Sequence, residues 1–357
     1  MTAYDAWDRE YQENKEAYLN IFDRFMSQTN YENNEEFENN FANMIGRTHA
    51  ISVSNATDAL HFSLLAHGIG PGDEVLVPDF SWISSAACIS MVGATPVFCD
   101  IDLGSYHIDI ESIERMHSDK TKAIIYVHLF GNMTNTSEIE FYCKQHGLIF
   151  IEDAAQSLGS SLDGIKAGNI GDSSVYSFNS NKVISGINGG GVLLTDDDKI
   201  ASTVKKIRRH GKDKDFSMLG FNSRMYVLNA EVINLRMMHM EKNQTRRQEI
   251  ASMYSHAFKD LPVHVQTMSG GLNHNYHKYT VRLEDKSTRD IVRGSVNASI
   301  HYETPLASNS MYEKILHRKD QCINSKLVSD TILSLPVHAW MREDEIASII
   351  QLVKSTL

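Results

Sequence analysis

The sequence lacks a surplus of basic residues and has no long apolar run. Its 357 residues include 34 Lys and Arg against 45 Asp and Glu, which gives a formal net charge of −11. Such an acidic balance disfavours non-specific nucleic-acid binding as the main activity. No run of about 18 apolar residues is present, so the sequence predicts no membrane-spanning helix. The opening stretch MTAYDAWDREYQENKE is acidic and polar, unlike the basic start and apolar centre of a signal peptide.

Cysteine is also scarce. The four cysteines lie far apart and form no CxxC pair; they are Cys88, Cys99, Cys143 and Cys322. Zinc sites and disulfide-stabilised domains need closely patterned cysteines, and this chain has no such pattern. We therefore expect buried thiols, no metal site and a location in the reducing cytoplasm.

The pattern of apolar residues predicts an α/β fold. Residues 1–45 are expected to be helical, and short apolar stretches such as HAISVS, DEVLVP, KAIIYV and LIFIED then alternate with helical segments. Strands that alternate with helical crossovers form mainly parallel sheets with helices on both faces. The fold class predicted here is therefore α/β, with a mainly parallel central sheet flanked by helices, followed by a smaller α+β domain.

The alternation weakens after about residue 200. At 357 residues the chain is longer than one typical core. We place the large α/β domain, with the N-terminal helical segment, at residues 1–235 and the small C-terminal α+β domain at residues 236–357.

Three short segments contain the candidate binding and catalytic residues. In SVSNATDAL a strand runs into a helix at Ala56 and Thr57, and a helix start binds phosphate through its free N–H groups. In LIFIEDAAQS, Glu152 and Asp153 end a buried strand, where one carboxylate needs a cationic partner. An ordinary helix cap at the first segment, and a cap or an arginine salt bridge at the second, would explain the same residues.

The third segment is SFNSNKVISGINGG, in which Lys182 is surrounded by small residues. A lysine with a lowered pKa can attack a carbonyl through its neutral amine, although an isolated lysine is more often a surface residue. Ser177 could reach a phosphate. Trp82 could lie against a flat ring or could be a core residue on a helix. Together these features match the needs of pyridoxal 5′-phosphate, which requires an anchored phosphate, a lysine for its aldehyde and an acid for its ring nitrogen.

The chain resembles the fold-type I, pyridoxal-phosphate-dependent sugar aminotransferases of the DegT type, and the resemblance implies the fold of the fold-type I transferases. The resemblance runs through most of the chain on ordered motifs: SNATDAL, GPGDEVLVPDFSW, GATPVFCDID, HLFGN, IEDAAQSLGS, GDSSVYSFNSNK, GGGVLLTDD, RRHG and LGFNSRM. It implies that Lys182 forms the Schiff base and moves the proton during amine transfer. It also implies cofactor contacts from Ala56, Thr57, Trp82, Asp153, Gln156, Ser177 and, from a second subunit, Asn222. His210 and Gly211 match the HG that precedes the Asn222 loop, and the resemblance implies a homodimer with shared active sites.

The sequence departs from the family at two places. Asn188 stands where the family commonly has the acid of an EGG motif, which puts the substrate preference in doubt. The first 35 residues do not match the usual short family start, so their role is unassigned. His301 and Tyr302 match the family stretch HY..PL and are candidate substrate contacts, with core packing as the alternative.

The function that the resemblance implies is amine transfer from L-glutamate to a keto sugar. The expected acceptor is a nucleotide-linked 4-keto-6-deoxyhexose, because the loop after Lys182 lacks the LGALGD pattern associated with 3-keto enzymes. The product would be an amino sugar for a surface polysaccharide such as an O-antigen, or for a glycoconjugate. A free keto sugar or keto-cyclitol as acceptor, and a non-catalytic cofactor-binding regulator, stay open. A sugar dehydratase that replaces the lysine is disfavoured because Lys182 is present.

Overall fold

The computed structural model describes residues 7–27 and 34–357. Parts of the predicted N-terminal helical segment, residues 1–6 and 28–33, lie outside the described residues. The α-helices are α1 Trp7–Ser27, α2 Glu35–Ile45, α3 Ala56–Ala66, α4 Ser84–Met91, α5 Ile110–Met116, α6 Ser137–His146, α7 Asp198–Ile207, α8 Val227–Met237, α9 Met240–Phe258, α10 Lys286–Ser295, α11 Ile323–Thr331 and α12 Glu343–Thr356. The strands are β1 His49–Val53, β2 Glu74–Pro78, β3 Thr95–Cys99, β4 Thr121–Val127, β5 Ile149–Asp153, β6 Ser161–Leu162, β7 Ile165–Lys166, β8 Ser173–Ser177, β9 Gly191–Thr195, β10 His264–Val265, β11 Leu272–Asn273, β12 Tyr279–Arg282, β13 Arg318–Lys319 and β14 Ile332–Leu335.

The largest sheet has the strand order β1-β9-β8-β5-β4-β2-β3-β13. Strands β8, β5, β4, β2, β3 and β13 pair in parallel, and β9 pairs antiparallel with both β8 and β1. Only β9 therefore runs against the other strands of this sheet in the described chain. The predicted fold class, a mainly parallel sheet flanked by helices, is confirmed.

Helices cover both faces of this sheet because the strands are apolar on both sides. Successive residues of β4 show this: Ile125 belongs to a buried cluster with α3, α4 and α7, whereas Ile124 and Tyr126 belong to one with α5 and α6. Side chains alternate between the two faces of a strand, so an uninterrupted apolar run requires a covering layer on each face. Helices α2 and α8 complete the second layer through a further cluster.

A second core lies in the C-terminal part of the chain. It packs α9, α10 and α12 against the three-stranded sheet β10-β12-β14 and extends from Ile250 to Val353. Strand β13 pairs with β3 of the large sheet, so the chain returns to that sheet between the two parts of this core. The boundary predicted at residues 235 and 236 stays a prediction.

The apolar helices are short. None of the helices in residues 7–27 and 34–357 combines the length and the apolar character needed to cross a membrane. The four cysteines are free thiols buried in the core.

Candidate active site

The strand ends of the large sheet create the first part of the site. β1 ends at Val53, and Asn55 caps α3 by accepting a hydrogen bond from the backbone N–H of Asp58 at 2.8 Å. A helix start leaves its first N–H groups without partners inside the helix. A Cβ added to Gly191 would lie 2.6 Å from the backbone nitrogen of Ala56, so glycine lets β9 begin against this helix start. The result is a cradle suited to a phosphate.

The two neighbouring carboxylates at the end of β5 face opposite sides of the sheet. Glu152 is fully buried and its Oε1 lies 2.7 Å from Nε2 of His128. It also accepts hydrogen bonds from the backbone N–H groups of Gly168 and Ile170. Asp153 lines a cavity instead. The geometry therefore separates a structural carboxylate from one that is available to a ligand.

Each carboxylate oxygen of Asp153 accepts one hydrogen bond. The Ser85 hydroxyl donates to Oδ2 at 2.9 Å, and the backbone N–H of Ala155 donates to Oδ1 at 3.2 Å. Burial raises the pKa of Asp153, while these hydrogen bonds and the positive charge of Lys182 oppose that shift. A cationic group in the cavity would further stabilise the ionised carboxylate.

Lys182 lies in the loop between β8 and β9. Its backbone N–H donates to the Asn179 carbonyl at 2.9 Å, and the loop closes where the Phe178 N–H donates to the Gly190 carbonyl at 2.9 Å. Burial lowers the pKa of Lys182 to about 8, and the Asp153 carboxylate opposes this shift. A substantial fraction of the side chain is therefore a neutral amine near pH 8, as a nucleophilic lysine requires.

Other predicted residues surround these groups. The Gln156 side chain accepts from the Phe130 N–H at 2.9 Å and donates to the Tyr302 hydroxyl at 3.2 Å. Trp82 precedes α4 and is 56% exposed, so it is neither a core residue nor part of the helix. Its ring centroid lies 5.9 Å from that of Tyr302.

These elements line one cavity of about 610 Å³. It contains ten of the predicted residues: Ala56, Thr57, Trp82, Asp153, Gln156, Ser177, Lys182, Asn188, His301 and Tyr302. Its volume lies within the range of about 300–1,000 Å³ typical of small-molecule sites. The structure thus brings together residues that are up to 246 positions apart in the sequence.

Asn222 lies elsewhere. It is exposed on the segment between α7 and α8 and is not among the residues that line this cavity. His210 and Gly211, on the same segment, both have positive φ angles, of 60° and 75°. A Cβ on Gly211 would lie 1.7 Å from the Met218 carbonyl oxygen, so this turn requires glycine.

Sequence reasoning did not name several residues that line the cavity, among them Ser85, His277 and Lys278. Ser85 follows Ser81 by four residues, and their two hydroxyl oxygens lie 2.9 Å apart. The spacing of the serines in SWISS was therefore the sequence feature that could have indicated Ser85. His277 and Lys278 lie just before β12 and line the cavity, although both are buried. The only available sign was polar residues next to the apolar strand YTVR, which is weak.

The residues present fit pyridoxal 5′-phosphate. The start of α3 with Thr57 and Ser177 offers hydrogen-bond donors for its phosphate, and Lys182 offers an amine of lowered pKa for its aldehyde. Asp153 offers a buried carboxylate for the ring nitrogen, and Trp82 offers an open aromatic face.

Comparison with known proteins decides the family. The profile of the DegT/DnrJ/EryC1/StrS aminotransferase family matches residues 9–354. The chain belongs to this family. It is a pyridoxal-phosphate-dependent transaminase, as the resemblance implied.

Among individual relatives, the chain is 33% identical to a GDP-perosamine synthase of Caulobacter vibrioides, over 90% of this chain and 89% of that protein. It is 32% identical to a UDP-N-acetyl-3-dehydro-alpha-D-glucosamine 3-aminotransferase of Acidithiobacillus ferrooxidans, over 88% and 86%. It is equally 32% identical, over 83% and 82%, to a "pleiotropic regulatory protein" of Geobacillus stearothermophilus. A crystal structure of a family aminotransferase from Brucella abortus superposes with a TM-score of 0.93 at 28% identity, covering 99% of both chains.

Proposed function

We propose that this aminotransferase moves an amino group from L-glutamate to a nucleotide-linked keto hexose. The observation that carries the proposal is the convergence of Lys182, Asp153 and the α3 start in one cavity. Relatives of about one-third identity are named for UDP- and GDP-linked sugars, which supports a nucleotide-linked acceptor without selecting one. A 4-keto-6-deoxyhexose stays our preferred acceptor, and cytoplasmic synthesis of an amino sugar for a polysaccharide or glycoconjugate is the corresponding role.

Each side chain would have a role that follows from its position in the cavity. Bound pyridoxal 5′-phosphate supplies an electron sink for the carbon that loses or gains the amino group. Thr57 and Ser177 would hold its phosphate, and Asp153 would keep its ring nitrogen protonated. Lys182 Nζ would bind the cofactor covalently and then carry the proton between the two reacting carbons, because its lowered pKa allows both protonation states near pH 8.

The other side of the cavity would bind the substrates. Lys278 is 94% buried and lines this side next to His277, His301 and Tyr302. L-Glutamate and sugar nucleotides are both anionic, and a lysine ammonium suits their carboxylate or phosphate oxygens. We propose that Lys278 binds such a group, with His301, Tyr302 and Asn188 contacting the uncharged part of the substrate.

A homodimer would complete the site. Asn222 is exposed and lies near several exposed apolar residues of the same segment: Phe216, Leu219, Phe221 and Tyr226, with Leu219 at 93% exposure. Several exposed apolar residues on one segment are typical of an interaction surface. In this proposal Asn222 of each chain reaches the cofactor phosphate in the other chain.

The first experiment is an absorbance spectrum of the purified protein with pyridoxal 5′-phosphate, before and after L-glutamate. A yellow band that bleaches with glutamate supports the donor half-reaction, and keto-sugar nucleotides are then compared by how fast each restores the yellow. Paired 3-keto and 4-keto acceptors test the position of amination, and free keto sugars test the alternative acceptor. A stable band that ignores every amino donor would favour the non-catalytic regulator.

The shared site has its own test in mixed dimers. A Lys182→Ala chain and an Asn222→Ala chain are each inactive in this proposal, but a dimer of the two has one intact site. Refolding an equal mixture should restore roughly a quarter of wild-type activity, as random pairing of a twofold dimer predicts. Mixtures that stay inactive, or a monomer in light scattering, would contradict the shared site.

A further inference from the structure

We propose that the N-terminal helix α1 positions the Lys182 loop through a buried bridge from Glu10 to Arg236 to Ser185. This inference rests on the proposed function of Lys182 and gives the unassigned N-terminal segment a role. The bridge joins three buried residues from α1, from α8 and from the loop itself.

The first link is an ion pair with two parallel contacts. Arg236 Nε donates to Oε1 of Glu10 at 2.6 Å, and Nη2 donates to Oε2 at 3.0 Å. The Tyr18 hydroxyl donates to the same Oε1 at 2.6 Å, and the Trp7 ring covers the guanidinium at 4.1 Å. Two parallel hydrogen bonds of this kind fix the orientation of the guanidinium, and the carboxylate balances its charge.

The second link fixes the loop. Arg236 Nη1 donates to the Ser185 carbonyl oxygen at 2.6 Å and lies 2.9 Å from its hydroxyl. Asn229, two turns earlier on α8, accepts from the Ile187 N–H at 2.7 Å and donates to the Gly189 carbonyl at 2.7 Å. One face of α8 therefore holds the loop from residue 185 to residue 189, immediately after Lys182.

Glu10 is needed for this arrangement because a buried guanidinium without a carboxylate is costly. Without Glu10, Arg236 would turn towards water and release Ser185. Helix α1 also borders a small cavity of about 70 Å³, which Trp7 and Glu10 line together with Lys182. Water entering there would reduce the burial that lowers the pKa of Lys182.

The same helix provides a matched control. Arg9 donates to both Glu345 carboxylate oxygens, at 2.7 and 2.9 Å, and to the Trp340 carbonyl oxygen at 2.7 Å. This contact ties α1 to the C-terminal core and does not touch residues 180–190. Arg9→Met therefore removes a comparable α1 contact that is separate from the loop.

The test compares Glu10→Gln and Arg236→Met with Arg9→Met in the reconstituted holoenzyme. We expect the first two variants to bind pyridoxal 5′-phosphate about tenfold more weakly, against a change within about twofold for Arg9→Met. The pH midpoint for cofactor attachment should rise towards the ordinary lysine value of about 10.4 only in the first two. Equal effects in all three variants, or no effect in any, would overturn the proposal.

Hydrogen exchange gives a readout that does not depend on the cofactor. Backbone amides of residues 183–190 should exchange faster in Glu10→Gln than in wild type or Arg9→Met. If Glu10→Gln fails to fold, Glu10→Asp, which keeps the charge but shortens its reach, should show a smaller loss in the same direction. A wild-type protein that never binds pyridoxal phosphate would remove the proposed function, whereas unchanged exchange would remove the role of α1.

Discussion

The cavity lining comes from two parts of the chain, here called the sheet side and the C-terminal side: residues that follow strands of the large sheet, and residues from two separate C-terminal segments. The sheet side comprises Thr57, Asp153, Ser177 and Lys182; the C-terminal side comprises His277, Lys278, His301 and Tyr302. Each residue of the sheet side lies at a strand end, a helix start or a connecting loop. Those of the C-terminal side come from the stretch before β12 and from the irregular stretch after α10.

The two sides also differ in their electrostatics. On the sheet side, burial raises the pKa of Asp153 and lowers the pKa of Lys182 to about 8, and the opposite charges of the two groups oppose both shifts. On the C-terminal side, burial and the positive charges of Lys278 and Lys182 lower the pKa of His301 to about 3. His301 is therefore neutral at physiological pH, and Lys278 supplies the cationic character of that side. In the proposed function, the sheet side transfers the proton and the C-terminal side receives the anionic substrates.

The largest effect should come from Lys182 on the sheet side. Lys182→Ala removes both the covalent attachment and the proton carrier, so amine transfer should fall by about 10⁴-fold or more. Borohydride reduction followed by peptide mass spectrometry measures the attachment, and Lys199→Ala on the exposed start of α7 is the control. Attachment retained in Lys182→Ala would show that another lysine holds the cofactor.

The second-largest effect is expected at Asp153 and distinguishes it from the neighbouring carboxylate, Glu152. Asp153→Asn should slow transfer by about 10²–10³-fold, because a charge partner in the cavity is lost. Since the Asp153 carboxylate raises the pKa of Lys182, its removal should move the attachment midpoint below about 8. A pH titration of cofactor attachment measures this midpoint, and an upward shift would contradict the assignment.

Glu152→Gln is the matched variant for that comparison. Glu152 contacts His128 and two backbone N–H groups away from the cavity. Its loss should lower the free energy of unfolding by about 1–3 kcal/mol, with kcat nearly unchanged in the folded fraction. Denaturant unfolding measures the first quantity and steady-state kinetics the second.

Sequence patterns and the resemblance named all four residues of the sheet side, whereas on the C-terminal side they named His301 and Tyr302 but not His277 or Lys278. The roles of these residues stay predictions. A residue at the end of a parallel strand is placed by local rules, because all such ends meet at one edge of the sheet. Asp153 and Lys182 could therefore be found from their neighbours in the sequence. Lys278 reaches the cavity only through the packing of β12 against β14 and the pairing of its N–H with the Phe130 carbonyl, and these contacts join distant segments.

The same reasoning explains why the sequence did not reveal the contacts of the N-terminal helix. Its acidic pattern predicted a helix, but the partner of Glu10 is 226 residues away on α8. No local pattern marks such a pair. The resemblance supplied most of the residue roles on the sheet side, and it supplied none for Glu10, Arg236 or Lys278, which were assigned only after the fold was known.

Lys278 tests the C-terminal side directly. Lys278→Met keeps most of the apolar stem and removes the charge, so the KM for the anionic substrate it contacts should rise about tenfold with kcat within threefold. Separate half-reactions with L-glutamate and with the keto-sugar nucleotide identify which substrate loses affinity. A lower kcat with an unchanged KM in both half-reactions would instead mean that Lys278 acts in the chemical step, like the residues of the sheet side.

The smallest effect is expected at Asn188, which is exposed and lines the cavity. Asn188→Glu places a carboxylate near the approach of anionic substrates, so KM should rise about threefold at low ionic strength because an exposed charge is partly screened. The increase should disappear near 1 M salt, where the screening length is only about 3 Å. Asn188→Gln changes the size without the charge and should leave KM unaltered. An increase of equal size in both variants would mean that Asn188 acts through its shape. Lys278 would then be the only one of the two tested residues whose charge affects substrate binding.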